Sequence, residues 1–212
     1  MELLRIWRRM AATGLILALG LPLPALADGA MHTDPVIQAK DRLLLARLEA
    51  IQRRSPLWRE AIEQLRASRR QVIVATPDQV IVKDSPDAPT GERFDPTVIA
   101  AAAPVPGPGN RFDTVLVVVN LPLLQALYHQ SMAPPSGLHG DIDRILIHEV
   151  YGHAVPYLLA GDHSGRCADP APGERATDAC SVKRENAVRG ELRLGRRSSY
   201  GLEDLTVTRH LR

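Results

Sequence analysis

The chain has 212 residues, of which 45% are apolar and 24% are charged, and this composition excludes a disordered or a fibrous protein. The length predicts a single domain, and an aromatic content of only 4% predicts a core built mostly of aliphatic side chains. Two cysteines are too few for a disulfide-rich scaffold or for a zinc site made of four thiolates.

The first 27 residues have the pattern of a cleavable signal peptide. Three arginines lie within residues 1–9, and an apolar stretch then runs to Ala25-Leu26-Ala27, an A-x-A end. The stretch is short for a bilayer span and contains glycines and prolines, which favours cleavage over a membrane anchor. We therefore predict a periplasmic or secreted protein whose mature chain, residues 28–212, is one domain with no stable membrane insertion.

Removal of residues 1–27 takes away three arginines and one glutamate and leaves 23 basic and 23 acidic residues. A neutral chain with few aromatic residues lacks the charge and the stacking side chains that nucleic-acid binding needs, so we expect no nucleic-acid partner. Export to an oxidising compartment favours a disulfide between Cys167 and Cys180, with two unrelated buried thiols as the alternative.

Hydrophobic spacing predicts the elements in chain order. A helix is expected from Asp34 to Arg54, and Ser55-Pro56 predicts the cap and first turn of a second helix that ends near Ser68. The next predictions are a hairpin of strands 71–75 and 79–83, a loop-rich stretch at 84–111, a strand at 114–119, a helix at 121–130, a break at 133–137 and a helix at 174–194. We expect the strand at 114–119 to offer its edge to an extended peptide.

One segment carries metal-binding chemistry, on a helix that Asp141 or Asp143 is expected to cap. His148 is followed by Glu149 and then, five positions after the first histidine, by His153, whereas the common motif H-E-x-x-H spaces its histidines by four. At about 100° per residue, side chains five apart point about 140° apart on a regular helix and cannot share an ion. A π-bulge restores a common direction, and Gly152 and the nearby Pro156 favour such a distortion.

This segment resembles the H-E-x-x-G-H zinc motif of dipeptidyl peptidase III-type enzymes. The string His148–Ala154, with Arg184–Leu192 after it, is also similar to bacterial effector and toxin-type zinc metallopeptidase domains, which carry H-E-L-Y-G-H-A and a later E-N-x-x-R-x-E-L. The resemblance covers residues 141–201, the expected metal-site half of the domain. It departs from the pattern at Val150, where leucine is common, and at 193–196, where residues like L-G-L-P often follow.

The resemblance implies a zincin, a small α+β domain with helices packed on a short mixed or antiparallel sheet and with its active-site helix distorted at Gly152. It implies that His148, His153 and Glu185 bind Zn²⁺ and that Glu149 is the general base for a metal-activated water. Glu185 also lies on a partly apolar helix face, where a carboxylate is costly to bury without a partner. A surface ion pair with Arg189 is the alternative for Glu185, and His163 is a rival third ligand.

The remaining assignments stay open. Asp178, Tyr157 and Arg189 are candidates for orienting an imidazole or stabilising an oxyanion, and Tyr200 and His210 are further oxyanion candidates. The expected function is an exported zinc metallopeptidase that hydrolyses a peptide or protein. The alternatives are a non-catalytic zinc-binding or interaction protein of the cell envelope, and an enzyme for another exported polymer, such as the stem peptides of peptidoglycan.

Overall fold

The computed structural model describes residues 36–80, 95–105, 113–160, 176–198 and 205–210. Within these ranges the chain forms a four-stranded mixed sheet with helices packed on it, which confirms the expected α+β class. The predicted signal peptide lies outside the described residues. No helix in the described ranges is long and apolar enough to cross a membrane.

The sheet has the strand order β1-β2-β4-β3. Three of its strands run parallel, and the fourth, β3 (Ala100–Val105), is antiparallel to its neighbour β4. The parallel strands are β1 (Ile37–Ala39), β2 (Gln71–Ala75) and β4 (Thr114–Val119). The β-branched runs of β2 and β4 suit central positions, because both of their edges are paired and most of their side chains are buried. The two end strands are therefore β1 and β3.

The first predicted helix begins later than expected. Residues 37–39 form β1, and helix α1 (Arg42–Arg54) follows it. The Asp41 carboxylate accepts hydrogen bonds from the backbone N–H groups of Leu43 and Leu44, at 2.8 and 3.0 Å, and so begins the helix. The prediction of a helix from Asp34 was wrong, because pairing of β1 with β2 decides the conformation of these residues.

The hairpin predicted at 71–83 was also wrong. The strand β2 pairs with β1 on one side and with β4 on the other, and not with the second strand expected at 79–83, of which residues 81–83 lie outside the described part of the chain. Gln79 instead ends a 3₁₀ turn (Pro77–Gln79). The expected loop at 84–111 contains β3, which occupies the edge of β4 and contradicts the expectation that β4 offers that edge to a peptide.

Two helices begin and end close to the predicted residues. In α2 (Pro56–Ala67), the Ser55 hydroxyl accepts a hydrogen bond from the N–H of Trp58 at 3.0 Å, and Pro56 takes the first helical position. Helix α3 (Leu121–Gln130) follows β4 directly, and Asn120 caps it. The apolar faces of α1 and α2 lie in the main core, with Trp58 only 2% exposed.

The chemical motif lies in one long helical segment. It consists of α4 (Gly137–Leu146), a π-helix (Ile147–Ala154) and α5 (Val155–Ala160). Helix α6 (Ala176–Leu192) packs against the π-helix, which also contacts β3 and β4. Asp141 and Asp143, predicted as caps, are buried inside α4 instead, because the helix begins at Gly137. A short helix, α7 (Thr206–Arg209), packs on α4.

Candidate metal centre

The predicted distortion of the motif helix is present. The backbone N–H of Val155 donates to the carbonyl of Val150, five residues earlier, which is the π-helical spacing. The wider turns bring His148 and His153 to the same face of the helix, with ring centroids 4.7 Å apart and ring planes at 89°. The inserted residue is thus absorbed by the backbone, and two histidines five positions apart come together.

The two rings face each other through the same type of nitrogen. His148 Nε2 and His153 Nε2 are 3.2 Å apart. Two nitrogen ligands of a tetrahedral zinc ion, each at about 2.0–2.1 Å, lie about 3.3–3.4 Å from each other, so this separation fits a shared metal. The other ring nitrogen of each histidine has a partner on α6: Glu185 Oε2 at 2.9 Å from His148 Nδ1, and Ser181 Oγ at 3.1 Å from His153 Nδ1.

Glu185 lies on the opposite edge of the His148 ring from His153. Its Oε2 contacts Nδ1, whereas His153 approaches Nε2, so the carboxylate does not converge with the two Nε2 atoms. Of the three ligands that the resemblance implies, the structure brings two together. Across the described ranges, no group of three His, Cys, Asp or Glu side chains is arranged to hold a metal ion.

Two arginines hold the buried carboxylate of Glu185. Arg189 Nη1 donates to Oε1 at 2.6 Å and Arg197 Nη1 donates to Oε2 at 3.0 Å. Burial opposes ionisation of Glu185, but the hydrogen bond with His148 and the charges of His148, Arg197 and Arg189 lower the pKa of its carboxyl to about 2. The ion pair with Arg189 that we considered as an alternative is present, but it is buried and not on the surface.

Arg197 and Ser181 are site residues that the sequence analysis missed. Arg197 reaches the site because the chain turns after α6 through two residues with left-handed backbone, Arg193 (φ 59°) and Gly195 (φ 75°). Asn186 fixes the returning segment, since its side chain bonds both the N–H and the carbonyl of Arg197, at 2.7 and 2.8 Å. In the sequence, the signal for this contact was Asn186 after Glu185, because an asparagine side chain can bind both the N–H and the carbonyl of a residue in a following loop.

Glu149 is buried beside His148, with only 5% of its surface exposed. Burial raises the pKa of the Glu149 carboxyl and the charge of Glu185 adds to the rise, while His148 and Arg197 oppose it. A buried carboxyl with a raised pKa beside two histidines is typical of a functional group.

The other predicted residues are placed as follows. Tyr157 lies half-buried on α5, and burial raises the pKa of its hydroxyl. The guanidinium of Arg189 donates hydrogen bonds to the Glu185 carboxylate and, from Nε, to the carbonyl of Gly195 at 2.8 Å. The exposed His210 bonds the carbonyl of Thr206 in its own helix, α7.

Four of the predicted residues lie wholly or partly outside the described residues. Asp178 belongs to α6, but its side chain is not described, and Cys180 is buried in the same helix. The disulfide from Cys180 stays a prediction, because its expected partner falls in the range 161–175. Entirely outside the described residues are Cys167, His163 and Tyr200.

Comparison of the chain with protein-family models, with curated proteins and with solved structures gives no match.

Proposed function

We propose that the protein is an exported zinc-dependent metallopeptidase, with His148 and His153 as metal ligands and Glu149 as general base. The observation that carries this proposal is the pair of facing Nε2 atoms, 3.2 Å apart, on a π-helix that also presents a buried glutamate. The same three residues form the H-E-x-x-G-H pattern of the sequence, so chemistry and geometry point to the same place.

The two ring edges of His148 have different surroundings. Two groups lie at Nδ1: Glu185 Oε2 at 2.9 Å, which accepts hydrogen bonds, and Arg197 Nη1 at 3.1 Å, which donates them. The Nε2 atom faces His153 Nε2 at 3.2 Å. A neutral imidazole that donates from Nδ1 to Glu185 has its lone pair on Nε2, and this is the form that would bind zinc together with His153.

The chemistry divides between the metal and Glu149. His148 and His153 would hold a zinc ion, which would supply a Lewis acid for the scissile carbonyl and for the attacking water. Glu149 accepts the proton of the attacking water and then donates it to the leaving amine. Its burial excludes bulk water from the carboxyl, and its position next to His148 keeps it close to the metal ligands.

The sheet supports an extended peptide as substrate. Strand β3 is an end strand of the four described strands and contacts the π-helix that carries the motif. A peptide that adds to β3 as a further strand would join the sheet beside a strand that contacts the motif helix. This assigns to β3 the role that the sequence analysis gave to β4.

The test compares Glu149→Gln with the parent protein, in zinc content and in hydrolysis of a broad peptide library. We expect one zinc per chain in both proteins and a loss of at least about 100-fold in hydrolysis, because general-base catalysis contributes about 10²–10⁴-fold. Glu60→Gln makes the same chemical change at an exposed position of α2 and is the matched control. A Glu149→Gln protein as active as the parent would contradict the assigned role.

A non-catalytic zinc-binding protein of the cell envelope is the second candidate. The observation that favours it is that only two ligands converge among the described side chains. The same experiment separates the two functions. A parent protein that binds zinc but cleaves neither the peptide library nor purified cell wall is a binding protein and not a peptidase.

A further inference from the structure

We propose that α6 positions both histidines, with Glu185 and Ser181 acting on the far nitrogen of each ring and not as metal ligands. This inference rests on the proposed metal centre and adds to it a division of roles: the π-helix supplies the ligands, and α6 fixes their orientation. It assigns Ser181, which the sequence analysis did not consider, and it changes the role implied for Glu185.

The spacing of the four residues supports this division. Ser181 and Glu185 are four positions apart on α6, so they lie one above the other on the same face of that helix. His148 and His153 are five positions apart on the π-helix, which is one π turn. The two histidines therefore align with the two residues of α6, and each histidine contacts one of them.

The contacts with α6 offer an acceptor to the Nδ1–H of each ring. When Glu185 Oε2 and Ser181 Oγ accept from Nδ1–H, the lone pair of each neutral ring is on Nε2, the atom that would bind the metal, while Arg197 Nη1, 3.1 Å from His148 Nδ1, competes for that position. Both oxygens are buried, since Ser181 and Glu185 are each 0% exposed. Water therefore does not compete for these hydrogen bonds, and neither ring is free to turn over.

The surroundings of Glu185 argue against a ligand role. Its Oε1 accepts from Arg189, and its Oε2 accepts from Arg197 and lies against His148 Nδ1. To join the two Nε2 atoms, the carboxylate would have to leave both guanidinium groups and pass to the other edge of the ring. Two buried arginines, 1% and 8% exposed, would then be left without their carboxylate.

Gly152 lies where the π-helix and α6 approach each other closely. A Cβ atom at Gly152 would lie 3.4 Å from both the Cβ and the carbonyl oxygen of Ser181, so the two helices already touch there through backbone and small side chains. A larger residue at Gly152 would push α6 away and lengthen the hydrogen bond between Ser181 and His153. The glycine of the motif thus serves the approach of α6 as well as the shape of the π-helix.

The experiment measures zinc affinity and stoichiometry by competition with a chromogenic chelator. For Ser181→Ala and Glu185→Gln we expect one zinc per chain, bound about 10- to 100-fold more weakly than in the parent, as for other orienting partners of metal ligands. Ala187→Ser, on the exposed face of α6, is the control and should keep the parental affinity. A folded Glu185→Gln protein that binds no zinc would identify Glu185 as a ligand and overturn the proposal.

A spectroscopic readout separates positioning from a general effect on the fold. In the cadmium-loaded parent protein, ¹⁵N NMR should show coupling of ¹¹³Cd to Nε2 of both histidines, and slowly exchanging Nδ1–H protons on both rings. In Ser181→Ala, exchange should become faster for His153 alone. This measurement also tests Glu185 without substitution, because a slow Nδ1–H on His148 requires its acceptor to stay in place.

The outcomes distinguish the two proposals. A parent protein that binds neither zinc nor cadmium overturns both the metal centre and the positioning role. A parent that binds metal, with a Ser181→Ala variant identical in affinity and in Nδ1–H exchange, leaves the metal centre standing and overturns the positioning role alone.

Discussion

Single buried residues join parts of this chain that are distant in sequence, and Asp141 is the clearest case outside the candidate metal centre. Its carboxylate is 0% exposed and accepts four hydrogen bonds of 2.6 to 3.0 Å. The donors are the Tyr128 hydroxyl, the Arg144 guanidinium and the backbone N–H groups of Thr206 and Val207. Asp141 therefore begins α7 from a position inside α4, which explains why a residue that has the features of a helix cap lies in the middle of a helix.

We predict that Asp141→Asn lowers the free energy of unfolding by about 3 kcal/mol. An amide cannot accept at both ends, so at least one donor loses its partner, and the buried side chain no longer balances the charge of Arg144. Urea unfolding measures the change. The exposed Asp113→Asn is the control, and a loss below about 1 kcal/mol in Asp141→Asn would show that these contacts contribute little.

The sequence alone was sufficient to predict the site residues on the π-helix, but not the site residues that lie around that helix. His148, Glu149 and His153 are placed by covalent spacing along one helix, so the pattern of residues and the need for a common direction predict the distortion. Ser181 and Arg197 reach the site only through packing of α6 and through the turn after it. Contacts of this kind depend on tertiary structure, which single-sequence spacing does not contain.

Among the elements, the two strands that the sequence analysis missed are the end strands of the sheet. Strand β3 contains four consecutive alanines and Pro104, residues that are depleted in strands. Pairing with β4 overrides this weak preference, and proline is tolerated because β3 has a neighbour on one side only among the described strands. The short β1 is likewise decided by its pairing with β2, whereas β4, with its run of valines, was predicted correctly.

The junction of α1, α2 and α6 depends on one serine. The Ser55 hydroxyl caps α2 through Trp58 and donates to the Glu191 carboxylate near the end of α6. We predict that Ser55→Ala lowers the free energy of unfolding by about 1–2 kcal/mol, because the cap and the bond to Glu191 are lost together.

Thermal or urea unfolding of Ser55→Ala measures this effect, with Ser68→Ala as the control. Ser68 lies at the other end of α2, is exposed, and bonds only carbonyl groups of its own helix, so its loss should cost less than about 0.5 kcal/mol. Equal losses in the two variants would contradict the importance of the contact between α2 and α6.

For the whole molecule, contacts distant in sequence hold the candidate metal centre between several elements. Tyr151 of the π-helix stacks on Trp58 of α2, with ring centroids 6.3 Å apart. Arg47 of α1 forms a bidentate ion pair with the buried Asp143 of α4, and the remaining sides of the π-helix contact α6 and the strands β3 and β4. The histidines are therefore held before any ligand binds, and we expect the chain to fold without metal and to gain stability when metal binds.

The most direct test of the central claim is the zinc content of the purified protein, measured beside His148→Ala, His153→Ala and the exposed control His129→Ala. We predict one zinc per chain in the parent and in the control, and a loss of zinc in each of the other two variants. Added zinc should raise the melting temperature of the parent and of the control only. A parent protein that is folded, binds no zinc and melts at the same temperature with and without added zinc would contradict this prediction.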